Sequence, residues 1–143
     1  MRVLLMRHGQ AAGPGADPPL SPRGEAAVRG TAAGPWPVPA RIVHSPLLRA
    51  RGTAGLLAER WPGAERIEDS IFVPQAGADG AARRLLELAA GQGVVVLVSH
   101  LPLLPGLCEW LCGTAIAFEP ADAVLLEADE ALAWRGTFTR SAP

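Results

Sequence analysis

The chain reads as an α/β protein: a three-layer α/β/α sandwich with a mostly parallel central sheet and an antiparallel edge strand. Three observations predict this class. Short apolar runs alternate with helical signatures along the sequence, the pattern of strand–helix–strand units. The run Val94-Val95-Val96-Leu97-Val98 is apolar throughout and rich in β-branched residues, as a central strand covered on both faces must be. Near the C-terminus, Ala123–Glu127 and Ala131–Arg135 follow one another across a turn around Asp129, which predicts an antiparallel pair.

The other elements follow from local chemistry. Arg2-Val3-Leu4-Leu5-Met6 reads as a short buried strand. Gly9 to Leu20 is polar and rich in Pro and Gly, the one long loop. Ser21-Pro22 gives a capping serine and a first-turn proline, so a helix should run to about Ala33, ended by Gly34-Pro35. Arg41-Ile42-Val43-His44 is a second strand. Ser45-Pro46 repeats the cap-then-proline signature and predicts a helix towards Arg60. Glu65–Glu68 is a weak strand, Asp69–Gly77 a loop, and Ala81–Ala90 an amphipathic helix. Pro102 is expected to open a last helix, through Leu107 and Trp110 to Leu111, which Gly113 ends.

Length and composition set limits. At 143 residues the chain suits a single domain, 1–143. A chain of this size hides about 68–70 % of its unfolded surface, enough for a full core. All 13 basic residues are Arg, and Lys, Asn and Tyr do not occur. Schiff-base chemistry, a phosphate-loop lysine and a phenolic nucleophile are thereby excluded. Two Cys cannot form a four-thiolate zinc site; Cys108 and Cys112 read as small buried side chains of a reduced protein. A net charge of −1 offers no field for nucleic acid, and no apolar stretch is long enough for a membrane span or a secretory leader. The expectation is a cytoplasmic monomer.

Chemistry concentrates at strand ends. One strand delivers Arg7-His8 at its carboxyl end, and another delivers Ser99-His100. A third leads through Ser45-Pro46 to Arg49 in the first turn of a helix. Ligands of open α/β sheets bind outside the carboxyl ends of the strands, so two His and two Arg should share one rim. Guanidiniums match phosphate oxygens, and helix amino termini add free N–H groups, Leu101 among them. Unprotonated imidazole is a nucleophile that can carry phosphate. The combination predicts phosphoryl transfer through a phosphohistidine.

At these residues the chain resembles the histidine phosphatase (phosphoglycerate mutase-like) superfamily. Leu4-Leu5-Met6-Arg7-His8-Gly9 is similar to its Arg-His-Gly signature, and Leu20-Ser21-Pro22-Arg23-Gly24-Glu25 to its first helix start. Ser45-Pro46-Leu47-Leu48-Arg49-Ala50 with Thr53-Ala54 resembles the second signature, and Val98-Ser99-His100-Leu101-Pro102-Leu103 the third. The short length and the Ser-His-Leu-Pro-Leu wording are most similar to the SixA-type phosphohistidine phosphatases. The resemblance implies that His8 is the phosphorylated nucleophile, that Arg7 and Arg49 clamp the phosphoryl oxygens, and that His100 donates a hydrogen bond to them. It implies a reaction with no metal or cofactor, and places Glu25 and Ser45 as supporting groups.

The departures from the family pattern bear on the substrate. Gln10 stands where many relatives have an acidic residue, and the stretch Asp69–Asp79 offers only Asp79 as a weak candidate acid. A sugar alkoxide needs a positioned acid, worth roughly 10²–10⁴ in rate, whereas a phosphorylated imidazole leaves readily without one. The expected substrate is therefore phosphohistidine on a protein, such as a histidine-containing phosphotransfer domain. Alternatives are a small phosphate ester and, from another class, a catalytically idle phosphate- or phosphoprotein-binding module. His44 matches no motif and reads as structural. A zinc site from His8, His44 and His100 is opposed by the flanking Arg charges, and Pro14 with Pro18-Pro19 removes Gly13-x-Gly15 as a dinucleotide loop.

Overall fold

The computed structural model describes residues 1–128 and 134–137. Six strands form one sheet: β1 (Arg2–Arg7), β2 (Arg41–His44), β3 (Glu65–Glu68), β4 (Val94–Ser99), β5 (Ala123–Ala128) and β6 (Trp134–Thr137). Their order is β3-β2-β4-β1-β5-β6. The first four are mutually parallel, β5 runs antiparallel to β1, and β6 antiparallel to β5. The antiparallel part is thus a two-strand flank. The expected turn around Asp129 and residues 131–133 lie outside the described residues.

Alternation along the strands divides the core between two faces. Leu4, Met6, Ile42, Val96 and Val98 point to one side, against α1 (Pro22–Ala32) and α2 (Leu48–Arg60) through Val28, Ala54 and Leu57. Val3, Leu5, Val43, Val95 and Leu97 point to the other, against α3 (Ala78–Ala89) and α4 (Leu103–Cys112) through Leu85, Leu104 and Leu107. β4 is buried at every residue, as its apolar run requires. Each fully buried Leu or Val contributes about 1.5–3 kcal/mol relative to exposure, so this paired core dominates the favourable side of folding.

Helix ends follow the sequence signals with two exceptions. Ser21 caps α1, its Oγ accepting from the Gly24 N–H at 2.9 Å, with Pro22 inside the first turn. Gly113 ends α4 in the left-handed conformation at φ 79°, which a side chain would resist. By contrast, Ser45-Pro46 does not open α2, which begins at Leu48. The Ser45 hydroxyl is committed to His100, and Asp17 of the long loop supplies the missing cap, accepting from the Leu48 N–H at 2.9 Å. A tertiary bond has displaced a local one. Likewise Pro102 caps α4 rather than entering it, so Leu101 precedes the helix by one more residue.

Candidate active site

Register brings the first two functional groups together. Arg7 pairs with Ser99 across adjacent parallel strands, so His8 and His100 are the next residues out of the same pair. Their rings meet with centroids 4.9 Å apart, tilted by 50°. His8 and His100 continue the alternation of Met6 and Val98, which puts them on the sheet face that carries α2. Arg49, the second residue of α2, donates from Nε to His8 Nε2 over 3.3 Å. The charges of Arg7 and Arg49 both act on each imidazole. The four residues expected at one rim are in one place.

Local bonds fix how each group is presented. His8 Nδ1 lies 2.7 Å from the Gly9 carbonyl oxygen. A carbonyl only accepts, so Nδ1 carries the proton and Nε2 keeps its lone pair. Burial, with smaller contributions from Arg49 and Arg7, pushes the His8 pKa down to about 4, so the ring is neutral at pH 7. His8 is only 8 % exposed: Gly9 and α2 close over it.

The backbone beneath His8 is equally determined. A Cβ on Gly9 would stand 2.8 Å from Val28 Cγ2 and 2.9 Å from the Gly24 oxygen, so only glycine fits there. The Gly9 N–H donates to Thr53 Oγ1 at 3.0 Å, and that hydroxyl donates to the Arg49 carbonyl at 2.8 Å. Thr53, which sequence reading noted only as part of a signature, is the tie between the histidine loop and the arginine helix.

Arg7 is held from the far side. Its Nη1 donates to the Phe118 carbonyl at 2.9 Å, and burial lowers its pKa, opposed by the carboxylates of Glu119 and Asp122. The 118–122 turn is in turn bonded to the end of β1, Arg7 N–H to the Asp122 oxygen and Ala121 N–H to the His8 oxygen. No sequence signal marked this support, because it joins residues more than a hundred positions apart through carbonyls.

Two polar atoms are left without partners among the described residues, Arg7 Nε and His100 Nδ1, both fully buried. A buried polar atom without a partner costs about 1–3 kcal/mol. His100 is 1 % exposed, and burial, then His8, Arg49 and Arg7, push its pKa down to about 3. Arrayed around a neutral imidazole, these buried polar atoms and the two guanidiniums suit a small dianion.

The remaining expected groups, Ser45 apart, lie elsewhere or are bystanders. Leu101 is 37 % exposed and, being outside α4, presents no helix-terminal N–H. Glu25 lies on the exposed side of α1 and lines a separate 470 Å³ cavity with Leu48, Arg51 and Arg66. Ser45 does reach the site, 2.5 Å from His100 Nε2. Asp79 is exposed on α3 and tied to Arg83 and to Trp110 Nε1, which hold its carboxyl below its usual pKa. That environment is wrong for a general acid. His44 is buried and donates from Nδ1 to the Ser45 carbonyl, a structural role. Cys108 is a core residue whose thiol burial pushes up to about 12. No group of three or more His, Cys, Asp or Glu with metal-binding placement occurs among the described residues.

Residues 3–72 match the family model described as histidine phosphatase superfamily (branch 1). Among solved structures, the protein histidine phosphatase SixA complexed with tungstate is similar over 99 % of this chain and 97 % of its own, with 26 % identity and a TM-score of 0.89. A mycobacterial glucosyl-3-phosphoglycerate phosphatase is similar over 99 % of both chains, with 20 % identity and a TM-score of 0.78; there the likeness is one of fold. No curated protein matches the sequence. No helix among the described residues is long and apolar enough to cross a membrane.

Proposed function

We propose that the protein is a phosphatase that forms phosphohistidine on His8 and takes its phosphate from phosphohistidine borne by another protein, a phosphotransfer domain. The observation that carries this reading is the state of His8: the Gly9 carbonyl accepts from Nδ1–H, which leaves Nε2 unprotonated and its lone pair facing Arg49. In the first step His8 Nε2 bonds to phosphorus as the phosphorus–nitrogen bond of the substrate breaks, and the departing imidazole takes a proton from water. In the second, water attacks phosphorus, the bond to His8 Nε2 breaks, inorganic phosphate leaves, and the proton the water loses neutralises the hydroxide left by the first step. The Nδ1–H bond to Gly9 steadies the positive charge that the phosphorylated ring carries. Arg7 and Arg49 neutralise the phosphoryl oxygens, so the reaction needs no metal.

Leaving-group chemistry supports the substrate class. The charged groups that act on His8 and His100 among the described residues are guanidiniums. Such a site suits a leaving group that protonates by itself near neutral pH better than an alkoxide. The similarity to a structure named as a protein histidine phosphatase points the same way.

The test is incubation with a phosphorylated histidine phosphotransfer domain and, separately, with a panel of sugar phosphates. Faster loss of phosphate from the domain is expected. Faster hydrolysis of a sugar phosphate would replace this reading with a small-ester phosphatase. Failure to trap an acid-labile, alkali-stable phosphoenzyme with any donor would leave a phosphate-binding module.

A further inference from the structure

A neutral imidazole carries one ring proton, and the nitrogen that holds it decides what the other can do. His100 Nε2 stands 2.5 Å from Ser45 Oγ, while Nδ1 is buried without a partner among the described residues. Ser45 is itself fully buried, directly after β2, where His44 pairs with Val98. The same register that aligns the strands therefore sets Ser45 beside the residues that follow Val98.

The hydroxyl has one proton and two lone pairs. The Leu47 N–H lies 3.4 Å from Ser45 Oγ and, being a donor, takes a lone pair. The second lone pair could accept from Nε2–H, but the hydroxyl proton has no other acceptor within hydrogen-bonding distance among the described residues, so it is directed to His100 Nε2, which accepts it unprotonated. The ring proton is left to Nδ1. The opposite tautomer would turn a bare Nδ1 lone pair towards the anion cradle and leave the serine proton without its acceptor. It would oppose the ligand that Arg7 and Arg49 favour.

We propose that Ser45 is a positioning residue that holds His100 as the Nδ1–H tautomer, so that the buried ring N–H is ready for a phosphoryl oxygen. For the ligand this rests on the phosphatase reading; the tautomer itself does not. Ser45 touches neither substrate nor nucleophile. It acts through His100 alone.

The test is ¹⁵N NMR of the full chain labelled at histidine, near neutral pH and without ligand. Wild-type His100 should show an unprotonated, pyridine-type Nε2 and a protonated Nδ1. Ser45→Ala should shift the proton towards Nε2, and Ser45→Thr, which keeps the hydroxyl, should restore the wild-type pattern. Should the alanine variant not fold, Ser45→Cys serves, because a thiol is a weak donor. A wild-type His100 protonated at Nε2, or a tautomer indifferent to Ser45, overturns the proposal. In turnover of the phosphotransfer domain, Ser45→Ala should lower kcat about tenfold or more with little change in KM. A shifted tautomer with unchanged kcat would overturn the functional half. An Nδ1–H His100 in a protein that turns over no phosphate donor would sink the phosphatase reading while supporting the tautomer assignment.

Discussion

Arg49 Nε donates to the lone pair of His8 Nε2 across 3.3 Å, so in the proposed phosphatase the cation that binds phosphate first rests on the nitrogen that attacks. The bond is long for N–H···N, and it must be given up when phosphorus arrives. It holds the ring in line without tying up the nucleophile strongly. Arg49 gains phosphate oxygens in exchange, so the switch is close to even in hydrogen bonds.

His8→Ala should reduce turnover by about 10³-fold or more and abolish the phosphoenzyme, since among the described residues no other unprotonated nitrogen accepts from Arg49. Because His8 is buried, the variant should also lose about 1–2 kcal/mol of stability, read as a lower denaturant midpoint. Acid-labile phosphate incorporated into the variant would remove His8 from its role.

Arg49→Lys should cost on the order of 10²-fold in kcat/KM while leaving the fold intact. An ammonium keeps the charge but loses the planar fork and the Nε–H that meets His8. Activity within threefold of wild type would show that charge alone suffices.

Thr53→Val tests the tie between loop and helix. The change keeps the shape but leaves the buried Gly9 N–H and the Arg49 carbonyl without their shared hydroxyl. A stability loss of about 1–3 kcal/mol is expected, with kcat down about tenfold as His8 and Arg49 lose their spacing. Thr53→Ser should recover both. Equal thermal melting of Thr53→Val and wild type would contradict this account.

The depressed pKa of His8 fixes the acid limb of the pH profile. Protonation removes the nucleophile, so kcat/KM should hold level as pH falls through 6.5, the ordinary imidazole value, and decline only near about 4. Stability follows the same linkage with a definite sign. Below pH 6.5 the unfolded chain binds protons at His8 and His100 that the folded chain refuses, so Tm should fall steadily between pH 6.5 and 4. His8→Gln should flatten part of that slope. A half-maximal rate at pH 6.5 would mean that His8 is solvated.

Much of the site was legible because its parts lie at the ends of strongly patterned elements. The alternation of Leu4 and Met6 with Val3 and Leu5 fixes the two faces of β1, and the all-apolar Val94–Val98 run marks a strand with both faces covered. Arg7-His8 and Ser99-His100 follow directly from these runs. Ser45-Pro46 misled, because a serine before a proline is a good local cap only while its hydroxyl is free. Asp17 and the Phe118 carbonyl gave no signal at all: each acts on a residue far along the chain, through contacts that exist only once the sheet is assembled.

Composition and order determined by themselves that this is a layered α/β chain carrying an imidazole pair and a guanidinium pair at strand ends, since periodicity and local chemistry are properties of neighbouring residues. The tertiary structure alone decided which nitrogen of each histidine is bare, how dry the site is, and what holds Arg7. Those depend on strand register and on carbonyls and hydroxyls contributed from distant segments, which a linear pattern does not encode.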